Sequence, residues 1–300
     1  MSTTTICKIC RAQLVADRPV YRKDGFDIVR CDRCGVLQRA VLPTRADLDE
    51  LYDAGFFKDD HADPGRNAYA DYLDDELSHR RTARERLDRL ERHLTVPRPR
   101  VLDVGCAAGF FVAEAQARGW EAEGLDVSAE IVEWGREHLS ANLSVGSFDE
   151  VHADAPAFDV VTMWDYVEHS LDPVGDLERA RTVLEPGGLL ALSTGDVESP
   201  VARLSGSRWH LLNPRYHNFF FGRRTLGQLL QRLGLEVETV SHPGGRYSLA
   251  HVLLKADTML PAGVARRASL RLGRSRLGGL GIPLNLFDIV TVVARKPARG

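Results

Sequence analysis

A chain of 300 residues that is 44% hydrophobic and 27% charged has enough apolar matter for a substantial core and suits one large domain or two unequal ones. Its formal net charge of −3 builds in no general attraction to nucleic acid or to an anionic membrane. Met1–Thr5 lacks a basic leader start, no apolar run approaches the roughly twenty residues that cross a bilayer, and the expected compartment is the cytoplasm.

Four of the five cysteines lie near the N-terminus, as Cys7-x2-Cys10 and Cys31-x2-Cys34. Two such pairs at this separation have the spacing of a tetrahedral zinc site. Two disulfides are the alternative, disfavoured in a reducing compartment, and a thioredoxin-like redox site needs only one pair beside a βαβ unit. Four thiolates leave no open coordination position, so the metal's role is structural. Tyr21, Phe26, Ile28 and Val29 predict a small hairpin between the knuckles, and Gly35 helps the chain turn back. Residues 1–42 are thus expected to form a zinc-binding module whose folding energy comes mostly from the metal.

A helical linker or lid is expected over 43–99. Pro43-Thr44 opens a helix at Arg45–Tyr52, and 53–67 is a polar loop or lid containing Gly55, Pro64 and Gly65. From Ala68 to Leu94, Tyr69, Tyr72, Leu73, Leu77, Leu87, Leu90 and Leu94 recur near helical spacing. The spacing predicts a long amphipathic packing helix, stopped by Pro97 and Pro99. Its alternative role is to bring Tyr69, Tyr72 or His79 to an active site.

At Arg100–Gly109, RVLDVGCAAG, a short buried strand ends in a tight turn of small residues and a helix restarts at Phe110. Backbone N–H groups in such a turn can approach a ligand closely, and the new helix directs its positive end at the same space. Glu121–Asp126 follows as a strand ending in an acid able to accept both hydroxyls of a ribose. Strands and helices then alternate: helix 129–139, strand 142–145, strand 157–164, helix 174–184, strand 189–194, helix 225–233, strand 235–241 and strand 287–294. This alternation predicts a parallel, doubly wound α/β sheet.

The small residues fall as Gly105-x-Ala107-Ala108-Gly109 with Asp103 just ahead, not as the Gly-x-Gly-x-x-Gly of dinucleotide folds. This pattern resembles the first motif of class I S-adenosylmethionine (SAM)-dependent methyltransferases. Asp165-Tyr166-Val167-Glu168-His169-x-x-Asp172-Pro173 resembles the segment after strand four in small-molecule methyltransferases, and Leu184–Gly188 the turn before strand five. Ala107 stands where that family often has glycine. The four-cysteine module ahead of such a domain is similar to a bacterial group that methylates sugars, glycans and other natural products.

The resemblance implies a Rossmann-like, seven-stranded methyltransferase sheet over 100–300, with substrate-side insertions near 199–222 and 243–283 and a small N-terminal zinc ribbon. It implies that Gly105, Ala107 and Gly109 meet the methionine end of SAM, that Asp126 holds the ribose, and that Asp103 orients the turn or reaches the amino group through water. Val127, Ser147 and Phe148 would flank the adenine, with Phe148 or Trp164 stacking on it; Trp164 also suits a core position. Methyl transfer needs positioning, plus a base where the acceptor loses a proton. His169, after strand four, is the first candidate base, with a capping role in a short helix at 165–171 as its alternative. His217 and His210 follow, beside Trp209, Arg215 and Tyr216, which suit a sugar or aromatic acceptor.

The expected function is SAM-dependent methylation of a small-molecule, sugar or glycan acceptor, at oxygen. An RNA-modifying enzyme, a non-catalytic SAM-binding protein and a nicotinamide oxidoreductase are its rivals; the acidic balance and the glycine spacing count against the first and last. Arg266, Arg267, Arg271, Arg274 and Arg276 form a basic stretch over 264–276 that could grip an anionic acceptor or surface, or be a solvated helix face.

Overall fold

The computed structural model describes residues 4–15, 18–52, 72–151, 157–248 and 281–298. The expected lid at 53–67, Tyr69, the basic stretch 264–276 and most of the insertion at 243–283 lie outside the described residues. In chain order the elements are strands β1 (Thr4–Ile6), β2 (Gln13–Val15), β3 (Tyr21–Lys23), β4 (Phe26–Arg30) and β5 (Leu37–Arg39), then helices α1 (Arg45–Tyr52) and α2 (Glu76–Glu91). They continue as β6 (Arg100–Val104), α3 (Phe110–Ala117), β7 (Glu121–Asp126), α4 (Ala129–Leu139), β8 (Leu143–Val145), β9 (Phe158–Trp164), α5 (Pro173–Val183) and β10 (Leu184–Gly195). The last are α6 (Pro200–Ser205), β11 (Phe219–Phe220), α7 (Arg223–Arg232), β12 (Glu236–Ser241), β13 (Gly245–Ser248), β14 (Gly281–Leu284) and β15 (Ile289–Arg295). Among the described residues no helix is long and apolar enough to cross a membrane.

Contacts divide the chain into two compact units, and the division does not follow the order of the chain. One unit comprises 42–193, 227–239 and 292–300. It carries most of a seven-stranded sheet in the order β12-β15-β10-β9-β6-β7-β8. β6 pairs in parallel with β7 and β9, β7 with β8, and β9 with β10. The chain progresses outward from β6 in one direction and then, from β9, in the other, so β6 and β9 flank a topological switch point, the place where open α/β sheets hold ligands. Val101, Val104, Val160, Val161, Leu189 and Leu190 are all buried, as strands covered on both faces require.

α2 joins this core through Ala83, Leu87 and Leu90, which pack with Phe111, Val112 and Ala115 of α3. It is shorter than the helix expected from Ala68. A 3-10 turn at Leu73–Asp75 precedes it, and Leu77, expected in the apolar stripe, is 86% exposed. The stripe that holds is Ala83-Leu87-Leu90, at spacings of four and three.

The expected short helix at 165–171 is instead a series of turns. Asp165 has a φ of +53°, outside the helical region, and Asp172 already caps α5 by accepting from the Gly175 N–H at 3.2 Å, with Pro173 next. The residues left between cannot nucleate a separate helix.

The other unit comprises 1–41, 194–226 and 240–291. β3 and β4 form the expected hairpin through a two-residue Asp24-Gly25 turn with φ of +51° and +83°, the left-handed pair that matches strand twist. β5 extends that sheet, and β11 joins β5 from far along the chain, Phe220 opposite Leu37. Ile28 and Leu37 share one cluster with Ala202, Trp209, Leu212 and Phe220. A segment of some forty residues has too little apolar surface for a core of its own, and here it takes one from the 194–226 insertion.

Candidate functional site

The turn after β6 is held by the neighbouring strand. Gly105 N–H and Cys106 N–H both donate to the Leu125 carbonyl, at 2.8 and 3.1 Å. Gly105 (φ +71°) and Ala107 (φ +48°) are left-handed, and Gly109 (φ +78°) is the N-cap of α3. A Cβ on Gly105 would lie 2.7 Å from Cδ2 of Tyr166, and one on Gly109 2.6 Å from Cδ2 of Leu143. Both positions therefore favour glycine by conformation, and position 105 also by space, since a ring yields less readily than the ends of a leucine. Ala107 bears the strain of a left-handed non-glycine residue, about 1–2 kcal/mol, and is held there by its N–H, which donates to Asp126 Oδ2 at 2.8 Å.

Asp126 Oδ1 also accepts from the Ser128 N–H at 3.0 Å, so the carboxylate is oriented before any ligand arrives. Burial pushes its pKa above the usual carboxylate value, and the N–H groups of Ser128, Ala107 and Val127 oppose that rise. Asp103 is buried and receives a 2.6 Å hydrogen bond from Thr162 Oγ1 of β9. Its carboxyl is pushed up to about 7 by burial, against the Thr162 hydrogen bond and the charge of Arg86. A left-handed turn, an α-helix N-terminus and a fixed carboxylate at the tip of the next strand fit the methionine and ribose ends of SAM.

Of the residues assigned to the adenine, Val127 is 47% exposed and Phe148 is buried. Ser147 caps the single turn Phe148–Glu150 and accepts from Arg45 Nη1 at 3.2 Å. Trp164 takes its core alternative: its ring meets Phe111 edge-on at 5.6 Å, and the Arg86 guanidinium lies 4.4 Å over it. Arg86 also reaches Asp165 Oδ2 (3.1 Å) and Ser193 Oγ (3.3 Å), tying α2 to the ends of β9 and β10.

Tyr72, His79, Tyr166, Arg86 and His242 were invisible or ambiguous in the sequence. The Tyr72 ring lies 4.1 Å from that of His79, tilted against it, and packs with Ala107, Ala108 and Phe110 against the turn. Its hydroxyl is pushed up by burial and by the nearby Cys106, Asp126 and Asp103. Of the residues weighed for a second role, contact with the site, Tyr72 lies beside the turn, and His79 stacks on the Phe110 ring that opens α3.

The candidate bases fall in different units. His169 closes a turn after β9, its N–H donating to the Tyr166 carbonyl at 2.9 Å. His217 lies in the unit that holds the cysteines, its Nδ1–H donating to the Leu211 carbonyl at 3.0 Å. There too, Trp209 is only 1% exposed with Nε1 donating to Asp288 Oδ2 at 3.0 Å, and Tyr216 is buried, so these rings pack the core rather than offer a face to an acceptor. His242, in the same unit, holds Asp196 Oδ2 through Nε2 at 2.8 Å, and Asp196 is 1% exposed. A carboxylate so placed fixes the imidazole tautomer and its orientation.

The four cysteines converge. One sulfur from each lies within 4.8 Å of all the others; Cys7 and Cys34 are 3.6 Å apart, Cys10 and Cys31 3.5 Å. A disulfide would be near 2.05 Å, whereas Zn–S bonds of about 2.3 Å in a tetrahedron put sulfurs about 3.8 Å apart. Backbone N–H groups of Ile9 and Cys10 point at the Cys7 sulfur and favour its thiolate, whereas at Cys31 burial outweighs the N–H groups of Cys34 and Arg33 and pushes the thiol up. Cys7 is held down to about 5, chiefly by a hydrogen bond from the Cys34 thiol. The donor set and its spacing fit zinc.

Fold, turn and acid together define a class I SAM-dependent methyltransferase. A family described as methyltransferase domain matches residues 75–240, and the chain belongs to that family. Relatives include ubiquinone biosynthesis O-methyltransferases. The protein of Xanthomonas campestris is 36% identical over 116 residues, covering 36% of this chain and 48% of the relative. That of Chromobacterium violaceum is 28% identical over 171 residues, covering 53% and 74%. The chain spans about half the length of the first of these. A Haloferax volcanii methyltransferase, solved with the Trm112 activator, shares the fold with a TM-score of 0.51 at 20% identity, covering 75% of this chain and 92% of that one.

Proposed function

We propose that the protein methylates a hydroxyl oxygen of a small molecule. SAM supplies, when bound, an electrophilic methyl on a sulfonium whose departure leaves S-adenosylhomocysteine. The observation that carries this function is the Asp126 carboxylate, fixed by the Ala107 and Ser128 N–H groups beside the left-handed Gly105–Gly109 turn. Asp126 accepts the ribose hydroxyls, Gly105, Ala107 and Gly109 line the methionine end, and Val127, Ser147 and Phe148 flank the adenine. Asp103 holds the turn through Thr162. The names of the relatives favour oxygen as the methylated atom and a small-molecule acceptor over a glycan.

An acceptor hydroxyl becomes a nucleophile by giving its proton to an imidazole as the oxygen takes the methyl, so the products are a methyl ether and a protonated histidine. His169 and His217 are the bases expected from sequence, and the Asp196-held imidazole of His242 is a third candidate. Cys7, Cys10, Cys31 and Cys34 hold a structural zinc.

Label transfer from methyl-labelled SAM to a panel of phenols and sugars tests the function. A labelled methyl ether, with kcat reduced about 100-fold or more in one of His169→Gln, His217→Gln and His242→Gln, is the expected result. Transfer only to nitrogen or carbon, or equal rates in all three variants, would refute it.

A further inference from the structure

We propose that Tyr166 is the positioning residue that holds the Gly105 turn in its cofactor-binding conformation, and that its ring adds a steric restriction at position 105 to the one the left-handed backbone already sets. The proposal rests on the SAM site above and deepens it.

Tyr166 stands two residues beyond β9 and is anchored at both ends. Its hydroxyl donates to Asp176 Oδ2 on α5 at 3.2 Å, and Ser170 Oγ donates to the same oxygen at 2.5 Å. Ser170 Oγ in turn accepts from the Asp172 N–H at 3.0 Å, and Asp172 is the residue that caps α5. At its other end the ring edge lies against the Gly105 Cα: a Cβ there would be 2.7 Å from Cδ2, 3.5 Å from Cγ and 3.6 Å from Cβ of Tyr166. Gly105 N–H is meanwhile fixed to the Leu125 carbonyl. The turn is therefore gripped between β7 and a ring tethered to α5.

An apolar residue would fill this space without burying a carboxylate, which is costly unless its partners are supplied. Supplying them, through Tyr166 and Ser170, gives the ring one position rather than several. Holding a left-handed turn in one conformation spares the cofactor the entropy of ordering it.

The test is a double-mutant cycle on the full chain, reading calorimetric affinity for S-adenosylhomocysteine together with Tm. Y166F and D176A, which cut the tether but keep the ring, should each weaken binding three- to tenfold, and together no more than the worse of the two. Y166V should weaken it at least thirtyfold. Gly105→Ala should weaken it at least tenfold, and Gly105→Ala with Y166V by clearly less than the product of the two single losses, because the ring that the added methyl would strike is then missing and only the left-handed backbone strain remains. A ring that merely fills space would lower Tm and leave affinity alone. Y166V or Y166F within twofold of wild type, or penalties for positions 105 and 166 that multiply, would overturn the proposal. Should Y166V not fold, Y166F and D176A decide it. Failure of the wild type to bind would instead overturn the cofactor site itself.

Discussion

Asp126→Asn replaces one carboxylate oxygen by an amide NH2 and removes the charge while preserving size. The wild-type oxygens accept from Ala107 N–H at 2.8 Å and Ser128 N–H at 3.0 Å, so in either amide orientation one of these donors faces another donor. Removing a hydrogen bond to a charged group costs about 1.5–3 kcal/mol, and the strained Ala107 is the residue most directly released. For the cofactor, two ribose hydroxyls lose a charged acceptor. At about 1.5 kcal/mol each the loss is about 3 kcal/mol, or roughly a hundredfold in affinity. Calorimetric titration of the variant with S-adenosylhomocysteine, alongside circular dichroism to verify the fold, reads both effects. An affinity within threefold of wild type in a folded variant would show that Asp126 does not meet the ribose.

Changing Cys7 and Cys10 to Ser removes half of the sulfur ligands; zinc content measured by atomic emission should fall from one per chain to none, and retention of one zinc would defeat the four-cysteine site. In the same variant hydrogen exchange should rise across β3–β5 and β11 together, since they share one core. Asp103 carries its proton in the folded state up to about pH 7 but releases it near 4 when unfolded. The native state then binds more protons than the unfolded state between those values, so wild-type stability should decline relative to Asp103→Asn as pH rises from 4 to 7. Denaturant midpoints of the two proteins that stay parallel across this window would contradict the burial of that group.

The doubly wound sheet was legible because its strands are short apolar runs punctuated by glycine and proline, and each expected strand from Arg100 onward has its counterpart. The sheet is mixed rather than wholly parallel, since β15 runs against β10, with Lys296 beside Gly187 and Gly188 and Asp288 beside Asp196. The place of Asp126 at the tip of β7 was legible too, since it needed only the local strand pattern. The compact units were not. That Phe219-Phe220 completes the sheet begun by Tyr21–Arg39 is a pairing across more than half of the chain, and no local pattern encodes it. Trp209 and Tyr216 looked like acceptor-facing aromatics because sequence gives hydrophobicity but not direction; their burial follows from the cysteine module's need for a core. Tyr166 was part of a quoted motif, yet its fit against Gly105 depends on how two loops from distant strands meet. The turns at 165–171 looked helical until the positive φ of Asp165 was known.

Calorimetric titration of the purified chain with SAM, S-adenosylhomocysteine and NAD tests the central claim most directly. The account predicts saturable one-to-one binding of both sulfur ligands near one micromolar, roughly −8 kcal/mol, and none of NAD. Binding of NAD without either sulfur ligand would contradict it.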